Sequence, residues 1–537
     1  MPDSLNIKLS YTVCSCTPWP ASLRDTARFT MREPKTPEEL RAEREAIKRA
    51  GGTAKPKPYK FTSHSCVETR NGSGYFLIGF WPHLKLELEK SNIPYSIDDQ
   101  RDHSLRPDPD YSCLSGIQFR EGQAEALASI ISSDGGLLCS NVSFGKSFLI
   151  KVLCQLYPTL NILVICNAGE VVRELYRAIS EVLPGQVGLL DMKHSEINGK
   201  RIIVTTTKSM TKIKPEQVQL MLVDECHCAG YNETGFQIQQ FCFCRRFGFT
   251  ATPIRNQGDH LYFESLFGPV LQQQTFEQSV AAGSVTPIEY TMVPLEKKLT
   301  YLDDIKQLPN AIQYRLMYTN NPVRNRLIAG VFNDIRQANP DAQILIMTQT
   351  IEHLIRLCEL IPGLHFAHGE RGDLSSYKRK KGLENVDMYK YRQSAEQLSY
   401  VKKQAELGEY KSLIATGVWS KGINLHHLSV LIRADGAVSG IPSVQIPGRL
   451  ARLDDGKEVA FLVDFSDEFC ESAGNRAVAR TRHYNKEGYA CVSYIDMLNE
   501  IRWTRDGQYI IQSRCEEVQK EIQVQERRVR LLVDEKK

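Results

Sequence analysis

Apolar positions follow two different rhythms along most of this chain. From Phe119 onward, short apolar runs of strand length alternate with segments in which apolar residues recur every three or four positions. Such alternation of strands with amphipathic helices predicts a doubly wound parallel sheet. The strands of this first sheet are expected at residues 136–139, 162–166, 202–205, 220–223 and 247–250.

A second series of the same kind begins near Asp341. It predicts strands at residues 344–347, 364–366, 411–415, 430–433 and 459–463. Charged residues, together with Pro294 and Pro309, indicate a linker at residues 293–310. We therefore predict an α/β fold with two tandem parallel-sheet domains, at residues 117–292 and 311–470.

The two ends of the chain lack this alternation. Residues 1–116 predict a small α+β accessory domain, in which residues 75–80 form a strand candidate and residues 81–90 fit a helix or a strand by period alone. The Pro- and Lys-rich stretch 31–60 indicates a short helix at 36–50 and a solvated connector. Residues 471–537 predict a short C-terminal helical segment that ends in a charged helix at about 513–532.

Bulk composition narrows the class of protein. The chain has 537 residues, of which 42% are hydrophobic, and a net charge of only +4. Binding to nucleic acid would therefore depend on local basic patches, not on overall charge. No run of about 18 apolar residues predicts a membrane span, and the N-terminus lacks the pattern of a secretory signal. The 15 cysteines are scattered and odd in number, so we expect reduced thiols in a cytoplasmic protein.

The stretch after the first predicted strand has the layout of a phosphate-binding loop. A tight loop precedes Gly145, Lys146 and Ser147, which open a helix. Backbone N–H groups at a helix N-terminus bind anions, so Lys146 is expected to reach the phosphates and Ser147 to hold magnesium. Ser140 replaces the usual first glycine, and a surface turn before a helix is the alternative. The loop residues expected to contact the nucleotide are Asn141, Val142, Ser143, Phe144 and Gly145.

Two adjacent acids follow the apolar run at 220–223. Asp224 is suited to holding magnesium through water, and Glu225 to polarising a water for attack on the γ-phosphate. The alternative is an acidic turn, which the phosphate loop upstream makes the weaker interpretation. After the next strand, the hydroxyls of Thr250 and Thr252 can relay the state of the nucleotide to other elements.

A pair of arginines lies in the second series. Arg449 and Arg452 are three residues apart, so they share one face of the helix that is expected to open after Gln445. Two arginines on one face can grip a phosphate with paired hydrogen bonds. A solvated basic turn is the alternative.

The order of these motifs resembles that of superfamily 2 helicases and translocases. Gly-Lys-Ser is followed by Asp-Glu-Cys-His, Thr-Ala-Thr-Pro and Gln-x-x-Gly-Arg-x-x-Arg, all within residues 117–470. The resemblance implies two RecA-like domains that use ATP and Mg²⁺, with Lys146, Asp224 and Glu225 in catalysis. It also implies that Arg449 and Arg452 sense the γ-phosphate and that Thr250, Thr252 and Gln445 couple the nucleotide to movement.

Further segments support this resemblance and imply additional contacts. Residues 119–123 resemble the glutamine motif, so Phe119, Arg120 and Gln123 are expected to bind the nucleotide, with Gln123 on the adenine edge. A segment similar to motif V adds Gly422 and Asn424 to the nucleotide contacts. Segments similar to motifs Ia, Ib and V, and the end of one strand in the second series, imply nucleic-acid contacts by Arg173, Thr206, Lys208, Thr348, Thr416 and Lys421.

A narrower resemblance is to bacteriophage UvsW-type helicases. Residues 79–97 resemble the end of their small N-terminal DNA-binding domain, and residues from Arg482 onward resemble their C-terminal segment. The resemblance implies duplex unwinding, fork regression and Holliday-junction branch migration. The expected partners are single-stranded, duplex and branched DNA, with no membrane, in the host cytoplasm if the chain is phage-encoded.

The sequence is also compatible with three other functions. The chain could be an RNA helicase of the same superfamily, an ATP-gated DNA clamp without unwinding activity, or the motor subunit of a nuclease machine. Two basic patches could add nucleic-acid contacts or form solvated surfaces. One contains Lys378, Arg379, Lys380, Lys381, Lys390 and Arg392, and the other contains Arg476, Arg480 and Arg482.

Overall fold

The structure is a computed structural model that describes most of the chain's residues. The described residues are 4–11, 13–32, 36, 38–39, 42, 45–46, 60–140, 144–241, 243–251, 258–295, 302, 308, 310–369, 372–380, 382–420, 423–438, 447–454 and 457–501. The expected helix at 36–50 lies mostly outside them, and that at 513–532 entirely so. The site residues outside them are Asn141, Val142, Ser143, Thr252, Lys421, Gly422 and Gln445.

The chain divides into two compact units, the first ending at Ser284 and the second continuing from Val285. The first unit begins with a five-stranded mixed sheet in the order β5-β6-β2-β1-β7, and with a separate β3-β4 hairpin. The strands are β1 (Leu5–Leu9), β2 (Cys14–Thr17), β3 (Arg28–Arg32), β4 (Phe61–Ser65), β5 (Val67–Arg70), β6 (Ser73–Phe76) and β7 (Tyr95–Asp99). Short 3₁₀ helices lie at Ala21–Leu23, Ile78–Phe80, His103–Leu105 and Tyr111–Leu114.

The ambiguous segment at 81–90 is a helix, Trp81–Lys90. A proline in its first turn suits a helix start, and Leu84 and Leu88, four residues apart, are both buried. Leu86 lies between them in sequence and is exposed. The strand candidate at 75–80 is only partly correct, because the strand ends at Phe76 and a 3₁₀ turn follows.

The second part of the first unit is a seven-stranded parallel sheet in the order β10-β11-β9-β12-β13-β8-β14. Its strands are β8 (Gly135–Ser140), β9 (Ile162–Cys166), β10 (Val187–Leu190), β11 (Ile202–Thr206), β12 (Leu220–Asp224), β13 (Arg245–Thr250) and β14 (Val270–Gln274). Its helices are Gln123–Ser132, Lys146–Leu156, Gly169–Val182, Glu233–Gln239, His260–Phe267 and Phe276–Ala281, with 3₁₀ turns at Met210–Lys212, Pro215–Gln217 and Cys226–Cys228.

The second unit contains another seven-stranded parallel sheet, in the order β17-β18-β16-β19-β20-β15-β21. Its strands are β15 (Ile288–Val293), β16 (Gln343–Met347), β17 (His365–Ala367), β18 (Ser412–Ala415), β19 (Leu428–Arg433), β20 (Ala460–Phe465) and β21 (Ala490–Cys491). Its helices are Asn310–Tyr314, a π-helical turn at Arg315–Thr319, Pro322–Ala338, Ile351–Leu360, Ala395–Glu406, Glu471–Lys486 and Tyr494–Ile501. Turns of 3₁₀ helix lie at Ser375–Arg379, Met388–Tyr391, Gly417–Ser420 and Pro447–Arg449.

These sheets confirm the predicted fold class, but two expected domain limits differ from the structure. Strand β15 pairs with β20, so the second sheet takes its first strand from before the expected linker at 293–310. The described residues after 470 also belong to the second unit, because β21 pairs with β15 and helix Tyr494–Ile501 contributes Met497 and Leu498 to its core. None of the helices in the described ranges is long and apolar enough to cross a membrane.

The predicted basic patch at 476–482 does not form a single surface. Arg480 is fully buried, and its guanidinium donates to Asp464 at 2.7 and 3.0 Å and to Asp467 at 3.2 Å. Tyr484 also donates to Asp464, at 2.7 Å. Helix Glu471–Lys486 is thus fixed to the carboxyl end of β20 by Arg480, while Arg482, two residues on, is exposed. Arg480 is therefore structural.

Candidate functional site

The predicted nucleotide-site residues meet at one edge of the first parallel sheet. Because every strand pair in this sheet is parallel, the carboxyl ends of β8, β12 and β13 lie at the same edge. Lys146 follows β8, Asp224 ends β12 and Thr250 ends β13. The sequence predicted these strand ends, and the observed strand order places β13 between β12 and β8.

The described part of the phosphate loop has the backbone of an anion site. Gly145 adopts a left-handed conformation with φ of +92°, and helix Lys146–Leu156 starts after it without a side-chain cap. The first-turn N–H groups of this helix are therefore available to an anion. Lys146 is buried, and its Nζ donates to the carbonyl of Ser140 at 3.1 Å. Phe144, unusual in such a loop, is buried in the apolar core beside Leu149.

Gln123, which is predicted to contact the adenine edge, has two backbone partners in this structure. Its side chain is buried, and its Nε2 donates to the carbonyl of Phe144 at 2.6 Å. Its Oε1 accepts from the backbone N–H of Arg120 at 2.9 Å. The amide therefore holds the phosphate loop in this structure. Phe119 packs edge-on against Phe148 with ring centroids 5.9 Å apart, and Arg120 is exposed.

Asp224 fits a site for a cation. Burial, and then the negative charge of Glu225, raise the pKa of Asp224 to about 6, although Lys146 opposes the shift. A carboxylate buried in this way gains most from a positive charge placed beside it. Among the described residues, no group of three or more His, Cys, Asp or Glu side chains could hold a metal by itself. Carboxylate oxygens are ligands that Mg²⁺ prefers, so Asp224 is chemically suited to contact that ion.

Glu225, His227 and Thr250 form a connected group. Glu225 has a φ of +50°, which is rare for a residue other than glycine and turns the chain sharply after β12. The Nδ1 atom of His227 lies 3.1 Å from Glu225 Oε2 and 3.2 Å from Thr250 Oγ1. The sequence analysis assigned no role to His227. Its place two residues after Glu225 was the available signal, but only the pairing of β12 with β13 brings it to Thr250.

The residues expected to contact nucleic acid in the first unit lie at the same edge. Arg173 forms an ion pair with Asp191, at 3.4 Å, just after the carboxyl end of β10. Thr206 ends β11, where its hydroxyl interacts with the Ser209 hydroxyl at 3.2 Å and accepts from the Ser209 N–H. Lys208 is exposed. Arg173 and Lys208 are therefore accessible side chains beside the phosphate loop's sheet edge.

The second unit contains two buried threonines that are predicted to contact nucleic acid and one exposed asparagine that is predicted to contact the nucleotide. Thr348 is buried and its hydroxyl donates to the carbonyl of Ala415 at 3.3 Å. Thr416 is also buried, and its N–H donates to Ala367. Asn424 is exposed, and its side-chain amide lies 2.6 Å from His426 Nε2. Asn424, predicted as a nucleotide contact, therefore presents its side chain to solvent, whereas the predicted nucleic-acid contacts Thr348 and Thr416 are buried.

The arginine pair differs from the expected helix face. Residues Pro447–Arg449 form a single 3₁₀ turn, and Arg452 lies just beyond it. Arg449 is buried and donates to the carbonyl of Ile423, whereas Arg452 is half-buried. The backbone carbonyl of Arg452 accepts from Lys457 Nζ at 3.0 Å and from Thr286 at 3.2 Å. The loop that carries the pair is therefore held by its backbone.

Comparisons with known proteins agree with the predicted family. A family model described as "Type III restriction enzyme, res subunit" matches residues 116–255. The protein named DNA 3'-5' translocase XPB2 of Sulfurisphaera tokodaii is 21% identical over 353 residues, which are 63% of this chain and 80% of that protein. The ATP-dependent DNA helicase uvsW of Enterobacteria phage T4 is 23% identical over 385 residues, which are 66% of this chain and 70% of that helicase.

Among solved structures, that of T4 UvsW covers 91% of this chain and 99% of its own chain, with 16% identity and a TM-score of 0.39. The sequence matches confirm the resemblance to superfamily 2 helicases and to the UvsW type.

Proposed function

We propose that this chain, a superfamily 2 helicase similar to the UvsW type, hydrolyses ATP to move along DNA, unwind duplexes and remodel branched DNA. The observation that supports it best is the meeting of Lys146, Asp224 and the Glu225–His227–Thr250 group at one sheet edge. Fork regression and Holliday-junction branch migration are the proposed DNA reactions. The host cytoplasm is the proposed location if the chain is phage-encoded.

The nucleotide site assigns a role to each residue. Lys146 and the first-turn N–H groups of its helix bind phosphate, and Ser147 and Asp224 hold magnesium. Bound magnesium supplies positive charge to the phosphate oxygens. Glu225 orients the attacking water and can accept its proton. Arg449 and Arg452 are the proposed γ-phosphate sensors, and Arg449 uses its Nη1 to donate to the Ile423 carbonyl.

Movement along DNA requires contacts that change with the state of the nucleotide. Binding can shift a conformational equilibrium only by its different affinity for the two states. His227 joins Glu225, the acid that is proposed to orient water, to Thr250 at the end of the next strand in the sheet. Thr252 and Gln445 remain predicted members of this coupling path. Arg173, Thr206, Lys208 and Lys421 are the proposed contacts to the DNA backbone, where grip needs no sequence preference.

The deciding experiment measures the ATPase rate of the full chain with different nucleic acids. The rate is compared without nucleic acid and with single-stranded DNA, linear duplex, a four-way junction and RNA. Lys146→Ala removes the buried phosphate-site lysine, and Lys151→Ala on the same helix is the matched control. We expect Lys146→Ala to abolish hydrolysis and branched DNA to stimulate the wild type most.

The other outcomes identify the alternative functions. Stimulation by RNA above any DNA would support an RNA helicase. DNA binding without stimulated hydrolysis would support an ATP-gated clamp. Stimulation by linear duplex alone, without strand separation, would support a motor subunit.

A further inference from the structure

A basic segment of the second unit is not used by the proposed nucleotide site. Residues 372–392, which we call the basic knuckle, join β17 to helix Ala395–Glu406. They contain six basic and three acidic residues, so this short segment carries a net charge of +3 in a chain whose total is +4. A local excess of this size marks an electrostatic contact for a polyanion.

Hydrogen bonds between residues next to its two ends hold the basic knuckle to the sheet. Gln393 donates from Nε2 to the carbonyl of Phe366 at 3.0 Å, and its Oε1 accepts from the N–H of His368 at 2.9 Å. The Nε2 atom of the buried His368 ring lies 2.7 Å from the carbonyl oxygen of Tyr391. The segment therefore leaves and rejoins the sheet at the carboxyl end of β17.

The interior of the basic knuckle is also fixed. Leu374, Leu383, Met388 and Tyr391 are buried in the core of the second unit. Tyr391 donates its hydroxyl to Glu359 at 2.6 Å. The outer side chains are thus presented on an ordered base, which lowers the entropy lost on binding.

The exposed residues of the basic knuckle include cations and an aromatic ring. Lys378, Arg379 and Arg392 are exposed, and Tyr389 is 67% exposed. The guanidinium of Arg392 lies 4.0 Å from the centroid of the Tyr389 ring. An exposed tyrosine among cations is the arrangement by which proteins stack an unpaired base while holding its phosphates.

The basic knuckle also lies at the edge of the second parallel sheet where other nucleic-acid contacts are predicted. Strand β17 pairs in parallel with β18, and the N–H of Thr416 donates to Ala367 at 3.0 Å. The segment after β18, Gly417–Ser420, is the one that resembles motif V. The basic knuckle therefore starts at the same sheet edge as the predicted motif V contacts.

We propose that the basic knuckle binds a single-stranded segment of DNA, with Lys378 and Arg379 on its phosphates and Tyr389 stacked on an unpaired base. The site lies outside the nucleotide site and rests on the proposed function, because it assumes that the chain engages DNA. It gives the second unit a contact that recognises unpaired strands, as found at forks and junctions.

The test measures binding of the full chain to labelled oligonucleotides by fluorescence anisotropy. One probe is oligothymidine of about 20 nucleotides, longer than the usual site of one binding fold, and the other is an abasic oligomer of the same length. We expect Tyr389→Ala to weaken binding to oligothymidine at least about fivefold and to leave the abasic probe unaffected, because only stacking is lost. Tyr389→Phe keeps the ring and should bind like the wild type.

The double variant Lys378→Ala/Arg379→Ala should weaken binding to both probes. Loss of two phosphate contacts to a single strand lowers the slope of log K against log salt by about 1.4. Lys411→Ala, which changes an exposed lysine just before the amino end of β18, is the charge control, and Tyr111→Ala, a 57% exposed tyrosine, is the aromatic control. Both controls should bind like the wild type.

Specific results would overturn the inference. Wild-type affinity in Tyr389→Ala and in the double variant would show that the basic knuckle does not bind DNA. Equal loss on both probes in Tyr389→Ala would remove the assignment of Tyr389 to an unpaired base. If the wild type itself binds no DNA, the proposed function fails instead. Melting temperatures equal to that of the wild type confirm that these exposed substitutions leave the fold intact.

Discussion

The Nδ1 atom of His227 lies 3.2 Å from the hydroxyl oxygen of Thr250, across two adjacent strands of the first parallel sheet. The same atom lies 3.1 Å from Glu225 Oε2. One imidazole nitrogen therefore faces both the acid that is proposed to orient water and the end of the next strand. A change at Glu225 can alter the partner of His227 and so reach Thr250.

Replacing His227 should uncouple hydrolysis from DNA. In His227→Ala the Thr250 hydroxyl loses this partner, and we expect DNA-stimulated ATP hydrolysis and strand separation to fall about tenfold, as for one lost hydrogen bond in a buried site. His83→Ala, on the helix of the accessory region, is the control and should match the wild type. Unchanged stimulation in His227→Ala would exclude this coupling path.

Gly145 and Gln123 should act as a pair in ATP binding. A Cβ at position 145 would meet Gln123 Nε2 at 2.6 Å, and the φ of +92° disfavours any other residue. We expect Gly145→Ala to raise the KM for ATP more than tenfold. Gly185→Ala is the control, because its φ is +76° but no atom lies within 4 Å, so it tests backbone strain without a collision.

A double-mutant cycle separates the two causes. The double variant Gly145→Ala/Gln123→Ala removes the collision. Its change in the KM for ATP, expressed as a free energy, should therefore be smaller than the sum of the changes in the two single variants. Additive effects would mean that Gln123 does not position the loop. Either result is read from ATPase rates as a function of ATP concentration.

Asp224 should destabilise the nucleotide-free protein at high pH. Its folded pKa of about 6 lies above the ordinary value of 3.8, so its ionisation costs stability increasingly as pH rises from 3.8 through about 6. A shift of this size corresponds to roughly 3 kcal/mol. We expect Asp224→Asn to raise the melting temperature at pH 8, by less at pH 5, while abolishing ATP hydrolysis.

Asp191 provides a control in which the pKa shift, and the expected change in melting temperature, have the opposite sign to those of Asp224. Burial raises its pKa, but hydrogen bonds from the N–H groups of Lys193 and His194 and from the His194 ring outweigh burial and lower it to about 2. Its stabilising contribution is present above its ordinary value of 3.8 and is lost as pH falls through about 2. Asp191→Asn should therefore lower the melting temperature at pH 8. Shifts of the same sign in both variants would contradict the assigned electrostatics.

Arg480 should matter for stability and not for DNA. In Arg480→Met the buried carboxylates of Asp464 and Asp467 lose a cation, which costs roughly 3–5 kcal/mol. Arg482→Met, two residues along the same helix, changes an exposed side chain and should leave the melting temperature unaltered. A stable Arg480→Met with weaker DNA binding would restore the basic-patch interpretation.

Strand prediction from the sequence succeeded for the buried apolar runs and missed four strands of the two parallel sheets. The expected run at 162–166 coincides with β9, which is buried along its whole length. Of the missed strands, β10, β14 and β21 are outermost in their sheets, whereas β15 lies between β20 and β21. Strand β14 has the sequence Val-Leu-Gln-Gln-Gln and is largely accessible, so its apolar pattern is weak. Its pairing with β8, which the local sequence does not reveal, makes this segment a strand.

The site residues also divide into those whose positions the sequence predicted and those whose partners it did not predict. Lys146, Asp224 and Thr250 were predictable, because a parallel sheet collects the carboxyl ends of its strands at one edge whatever the strand order. The partners of Gln123, Arg449 and Thr348 were not, because each is bonded to backbone that is distant in sequence. The sequence alone therefore determined which chemical groups the protein carries and the edge at which they gather. The tertiary structure alone decided which of them are buried and which partner each one holds, since burial and hydrogen bonding depend on contacts between distant segments.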